Sequence, residues 1–170
     1  MVIHSVHKTL PAPTQTALLH MNGNLADREA VRKYLHMFQS SSPSYILMAG
    51  IDACMGLLET KADDLFSKYA DRLQRTRKKL GKLKNLELEE SEHFDRSKIV
   101  ISTKNTMLTG KQLYEELLEH YHLQMEMAAG AYIIAMTSIG DTDAGMERLE
   151  DALLKLIRIG KFRRRQMICL

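Results

Sequence analysis

Hydrophobic and polar positions divide this chain into a short β-prone start, a long helical middle and a mixed final third. Residues 2–6 are β-prone and residues 16–21 form a second apolar run. Between them Pro11 and Pro13 enforce extended or turn geometry. The pattern predicts strand, lysine-bearing loop and strand, closed by the turn Asn22-Gly23-Asn24. Residues 27–39 read as a helix, with Val31, Tyr34, Leu35 and Phe38 recurring on one buried face. Ser40-Ser41-Ser42-Pro43-Ser44 is a capping stretch, with Pro43 placed for a first helical turn. Residues 45–58 are almost wholly apolar, which predicts a helix buried in a large core or a subunit interface. In so small a piece that helix has too few partners. A second long helix, over residues 61–84, carries the stripe Leu65, Tyr69, Leu73 and Leu80 among many charges, as a domain-bridging surface helix does.

The remainder has an α+β rhythm. Short strands are predicted over residues 86–88, 98–102, 122–127 and 132–137, the third with Leu123, Met125 and Met127 on one face. Thr109-Gly110 leads a helix to about Tyr121. Gly140-Asp141-Thr142-Asp143 caps another, over residues 144–157, with Met146, Leu149, Leu153 and Leu156 as its buried stripe. Strands carrying helices across one face make a compact layered unit.

Composition narrows the functional classes. At 170 residues the chain is one domain's worth or a piece of a larger one, and 45% hydrophobic with 26% charged residues is globular. A net charge of +3 does not argue for a nucleic-acid partner. The basic run Arg72, Arg75, Arg77, Lys78, Lys79, Lys82, Lys84 lacks interleaved aromatic residues and reads as a solvated face. Lys161-Phe162-Arg163-Arg164-Arg165 reads as a basic tail. Cys54 and Cys169 have no metal-ligand spacing, and Cys54 fits a small core residue. His120 and His122 have no matching ligand set, so no metal is expected. No apolar run reaches the length of a membrane span. A soluble, cytoplasmic protein with no nucleic-acid or membrane partner is the expectation.

The candidate chemistry sits in Ser5-Val6-His7-Lys8. A lysine amine condenses with an aldehyde cofactor, and a substrate amine later displaces it. His7 suits stacking, phosphate binding or proton delivery, and Ser5 suits a hydrogen bond to a phosphate oxygen.

The wider blocks carry a resemblance. Ser5-Val6-His7-Lys8-Thr9-Leu10-Pro11-Ala12 with Thr14-Gln15-Thr16-Ala17 resembles the cofactor-lysine segment of the Orn/Lys/Arg decarboxylases. The likeness continues through residues 37–49, through Ile99-Val100-Ile101-Ser102-Thr103 and Leu108-Thr109-Gly110, and through residues 135–142. Four blocks in order over residues 1–158 look most like the shorter bacterial enzymes of that family. The resemblance implies an α/β (α+β) fold of the pyridoxal-phosphate-dependent, aspartate-aminotransferase type, present here in its C-terminal part. Residues 1–58 would end the cofactor-binding large domain and residues 59–85 would be a connecting helix. Residues 86–158 would form a small α/β domain and residues 159–170 a basic tail. It implies decarboxylation of lysine, ornithine or arginine to the corresponding amine. Lys8 would hold pyridoxal 5'-phosphate covalently, Lys8 or His7 would return the proton, and Ser5 and His7 would lie at the phosphate. Ser41 of the serine turn would approach the cofactor of a neighbouring subunit, with plain helix capping equally open for that turn. The Asp that keeps the pyridine nitrogen protonated should precede the lysine by a few tens of residues, whereas only seven residues precede it here. The expectation is therefore a homodimer, or a chain complemented by an N-terminal segment, with little catalysis by this chain alone. A non-catalytic remnant that serves oligomerisation or partner binding is the other reading.

Overall fold

The computed structural model describes residues 1–158 and divides the chain into two compact units, Met1–Asp64 and the residues from Leu65 onward. The predicted basic tail and Cys169 lie outside the described residues.

The first unit opens with β1 (Val2–His4), α1 (Val6–Thr9) and β2 (Leu18–His20). β1 and β2 pair antiparallel in the register Val2↔His20, Ile3↔Leu19 and His4↔Leu18. The expected lysine loop is instead a helical turn: the Leu10 amide bonds the Val6 carbonyl at 2.9 Å, and the fully buried Val6 pins the turn. The two prolines act only after it. Pro13 packs on the helix that follows, where a Cβ on Gly50 would fall 2.5 Å from its Cδ.

α2 (Arg28–Phe38) starts where Asp27 accepts hydrogen bonds from the amides of Glu29 and Ala30 at 2.9 and 3.2 Å. Its apolar face is not buried as expected. Tyr34 and Phe38 are 58% and 84% exposed and stack only on each other, with ring centroids 6.5 Å apart. Nothing among the described residues covers that face.

α3 (Tyr45–Leu80) merges the two helices expected over residues 45–58 and 61–84 into one of 36 residues. Glu59-Thr60-Lys61 contains neither Pro nor Gly, so the ladder continues through it, and the Thr60 hydroxyl bonds the Gly56 carbonyl at 2.9 Å without breaking it. Ser44 caps it through the Leu47 amide at 3.4 Å, which leaves Pro43 outside the first turn. The apolar start of α3 also departs from expectation: Tyr45 and Ile46 are exposed, while Cys54 is buried. Burial pushes the Cys54 thiol up from its ordinary value.

In the second unit, β3 (Glu87–Leu88), β4 (Lys98–Ser102), β5 (Met127–Ala129) and β6 (Tyr132–Met136) form one antiparallel sheet in the order β3-β4-β6-β5. Ile99 and Ile101 of β4 and Ile133 and Ala135 of β6 point to one side, as period-two alternation requires. There they join Leu73 and Leu80 of α3, Leu113 and Leu117 of α4 (Gly110–Tyr121), and Leu149, Leu153 and Leu156 of α5 (Asp143–Arg158). The expected stripe of α5 is buried in full. A strand over residues 122–127 does not form. His122 takes the left-handed conformation (φ 54°, ψ 42°) as the C-cap of α4, and the Leu123 amide returns to the Leu117 carbonyl. Only Met127 to Ala129 remains extended, and Met127 faces outward.

Four residues of the basic run, all on α3, form ion pairs inside this unit. Arg72 and Arg75 meet Asp143, Arg77 meets Glu90, and Lys79 meets Glu150. These pairs tie α3 to α5 and to the segment after β3, while Arg75, Lys78, Lys79, Lys82 and Lys84 stay exposed, as expected of a solvated face.

Asp95 gives the unit a measurable acid limb. A hydrogen bond from the Lys98 ammonium, and then one from the Ser97 hydroxyl, hold its carboxyl at about 2 against an ordinary 3.8. A depressed folded pKa contributes stability that is complete above the unfolded value and lost as pH falls through the folded one. Asp95→Asn should therefore lower the urea midpoint at about pH 6 and converge on the unsubstituted chain near pH 2. A gap of equal size at both pH values would show that Asp95 acts through shape rather than charge.

Candidate functional site

The sequence-predicted lysine lies in the one-turn helix α1, three residues after Ser5. That spacing puts Ser5 and Lys8 on one side of the turn. Lys8 is exposed and its amide bonds the Ser5 carbonyl at 3.1 Å. The Ser5 side chain makes no capping hydrogen bond, so its hydroxyl is not spent on the helix. The His7 ring is oriented by the segment before β2: Nδ1 lies 2.8 Å from the Thr16 carbonyl. A carbonyl only accepts, so Nδ1 carries the proton and Nε2 is the nitrogen available for chemistry. Thr16 is itself 3% exposed and held by its hydroxyl to the Pro13 carbonyl at 2.7 Å. The imidazole thus rests on a fixed acceptor.

A second feature of this unit was only partly anticipated. A cavity of about 660 Å³ is lined by Thr16, Gln39, Ser40, Ser42, Ser44 and Leu47, among others. The serine turn and the segment after Pro13 therefore meet. Ser5, His7, Lys8 and Ser41 are not in its wall. Ser41 is exposed on the outer side of the turn, while the Ser40 hydroxyl bonds the Ser42 carbonyl at 3.0 Å and braces it. Gln15, also in the wall, sits at φ 77°, a left-handed conformation uncommon for a side-chain-bearing residue. Sequence reasoning assigned no role to Thr16 or Gln15, because neither burial of a threonine nor a positive φ leaves a mark in residue type.

A lysine amine suits an aldehyde and the Ser5 hydroxyl suits a phosphate oxygen, whereas the His7 ring, with Nε2 unprotonated, accepts rather than donates. Among the described residues no group of three or more His, Cys, Asp or Glu could hold a metal ion, and no described helix is long and apolar enough to cross a membrane.

The fold is that of solved decarboxylases. The lysine decarboxylase LdcF of Francisella novicida superposes with a TM-score of 0.75 at 19% identity, over 92% of this chain and 27% of that one. The E. coli constitutive lysine decarboxylase gives 0.74 at 19% identity, over 92% and 28%. The family model for the Orn/Lys/Arg decarboxylase major domain matches residues 1–149, and the chain belongs to that family. Among curated relatives, arginine decarboxylases of Halalkalibacterium halodurans and Bacillus subtilis are 29% and 28% identical, over 95% and 89% of this chain. The chain spans about a third of the length of these relatives.

Proposed function

We propose that this chain supplies the lysine-bearing part of a pyridoxal-phosphate-dependent decarboxylase of a basic amino acid. The match over residues 1–149 carries the reading, because Lys8, His7 and Ser5 lie inside it. Among the possible substrates, the sequence relatives named arginine decarboxylase favour arginine.

In this reading Lys8 Nζ would hold the cofactor, Ser5 Oγ would donate to its phosphate, and the His7 ring is kept in place by the Thr16 carbonyl. When bound, the cofactor supplies the electron sink that lets the α-carboxylate leave as carbon dioxide. Lys8 Nζ would carry the proton that is returned to the α-carbon. His7 Nε2, unprotonated in the tautomer that the Nδ1 contact fixes, would be the second group able to deliver it only after first taking up a proton itself. The serine turn, through Ser41, would reach a cofactor held by a neighbouring subunit. The relatives are about three times as long as this chain, and a homodimer or a complementing N-terminal segment would be its partner. Alone, this chain is expected to decarboxylate little.

Titration with pyridoxal phosphate tests the reading. We expect visible absorbance that saturates at one equivalent and falls to background in Lys8→Ala. Equal absorbance in Lys8→Ala, or growth without saturation, would remove Lys8 from the role. A second reading, a non-catalytic piece that serves association, draws on the uncovered faces of α2 and the start of α3. It predicts assembly in sedimentation with no saturable cofactor uptake.

A further inference from the structure

The second unit holds a cleft that the lysine chemistry does not use. Its volume is about 530 Å³, within the roughly 300–1,000 Å³ of small-molecule sites. Phe66, Tyr69, Leu73 and Arg77 of α3 form one wall, and Phe94 and Arg96 of the segment before β4 form the other.

Both walls are braced. The Thr137 hydroxyl donates to the Ser97 carbonyl at 2.7 Å, so it accepts from the Tyr69 hydroxyl, 2.6 Å away. From the same wall, the Arg77 guanidinium reaches across to lie 4.7 Å over the Phe94 ring. Its N–H groups reach Glu90 at 2.7 and 3.0 Å and the carbonyls of Arg96 and Lys98 at 3.1 and 3.2 Å. Side chains whose polar atoms are satisfied in this way hold a preformed space open, which lowers the ordering cost of binding.

Charge selects the occupant. Arg77 is offset by Glu90. Arg96, on the rim, is exposed and has no carboxylate partner among the described residues. Phe66 at the mouth is 41% exposed. We propose that this cleft binds a small amphiphile with a flat apolar body and one anionic group. The body lies between the Tyr69–Leu73 wall and Phe94, and the anion meets Arg96. The lysine site lies in the other unit, so the proposal stands apart from the decarboxylase reading.

Calorimetric titration of the full chain with anilinonaphthalene sulfonate, and with uncharged N-phenylnaphthylamine, tests it. Both probes should show one saturable equivalent that Ala70→Trp, which fills the mouth from an exposed position on α3, weakens at least about tenfold. Arg96→Gln should weaken the sulfonate about threefold, the size of an exposed ion pair, and leave the neutral probe unchanged. Circular dichroism melting shows whether Ala70→Trp is folded; if it is not, Gln74→Trp on the same wall replaces it. Unaltered binding in the filled variant, or an Arg96→Gln effect that is absent or equal for both probes, overturns the proposal. So does a self-association that the filled variant abolishes while neither probe binds, since the cleft would then be a contact between copies.

Discussion

Gly110→Ala is expected to cost the second unit about 3 kcal/mol or more, the range of overpacking against unyielding atoms. A Cβ at this position would lie 2.9 Å from both the carbonyl carbon and the amide nitrogen of Tyr132, and closer still to the carbonyl oxygen. Those are backbone atoms of β6, held in a ladder with both β4 and β5, so they have nowhere to move. The helix cannot retreat either. The Gly110 amide donates to the Gly130 carbonyl at 2.8 Å, and Thr109 and Gln112 close a reciprocal capping box around the same turn. Gly56→Ala is the matched control. It lies exposed within α3 with nothing near its missing Cβ, so the change should stabilise by about 1 kcal/mol through helix propensity alone. Urea unfolding followed by circular dichroism reads both. Similar small shifts for the two variants would mean that α4 does not seat on β6 as described.

Glu150→Ala should cost about 2 kcal/mol, because it leaves a buried hydroxyl without its partner, while the Lys79 ammonium it also releases is already half exposed. The Glu150 side chain is 5% exposed and each of its oxygens is used: Thr76 Oγ1 donates to Oε1 at 2.7 Å and Lys79 Nζ to Oε2 at 2.6 Å. The hydrogen bond to Glu150 is also the leading reason the Lys79 ammonium holds its proton above the ordinary range. Alanine would strand the Thr76 hydroxyl, which is 1% exposed, and leave a void between α3 and α5. Glu150→Gln keeps an acceptor for Thr76 and loses only the charge, so it should cost about 1 kcal/mol. If Glu150→Ala and Glu150→Gln prove equal, the hydroxyl contact contributes nothing and the charge alone joins the helices.

The second unit was legible where local chemistry and burial agree. Thr109 and Gln112 announce a helix start, the stripe Met146, Leu149, Leu153 and Leu156 announces a buried face, and each is found in place. Reading failed where a tertiary partner or its absence decides. The face of α2 follows the helical period faultlessly, yet periodicity cannot say whether anything covers it. Residues 122–127 alternate like a strand, but the C-cap at His122 consumes the first of them. The basic run is solvated at five of its seven positions, but its partners Asp143 and Glu150, some seventy residues away in sequence, could not be read from it. At the candidate site, the identity of Lys8, Ser5 and His7 was visible in the residues. Their arrangement on a helical turn was not, because four residues between a strand and two prolines carry no periodicity to read.

The proposed role of Lys8 is tested most directly by borohydride fixation of bound pyridoxal phosphate, followed by digestion and mass spectrometry of the peptides. The account predicts one equivalent of fixed cofactor, on the peptide that carries Lys8. Label spread over Lys33, Lys61 and other exposed lysines, with Lys8 no more modified than they are, would contradict it.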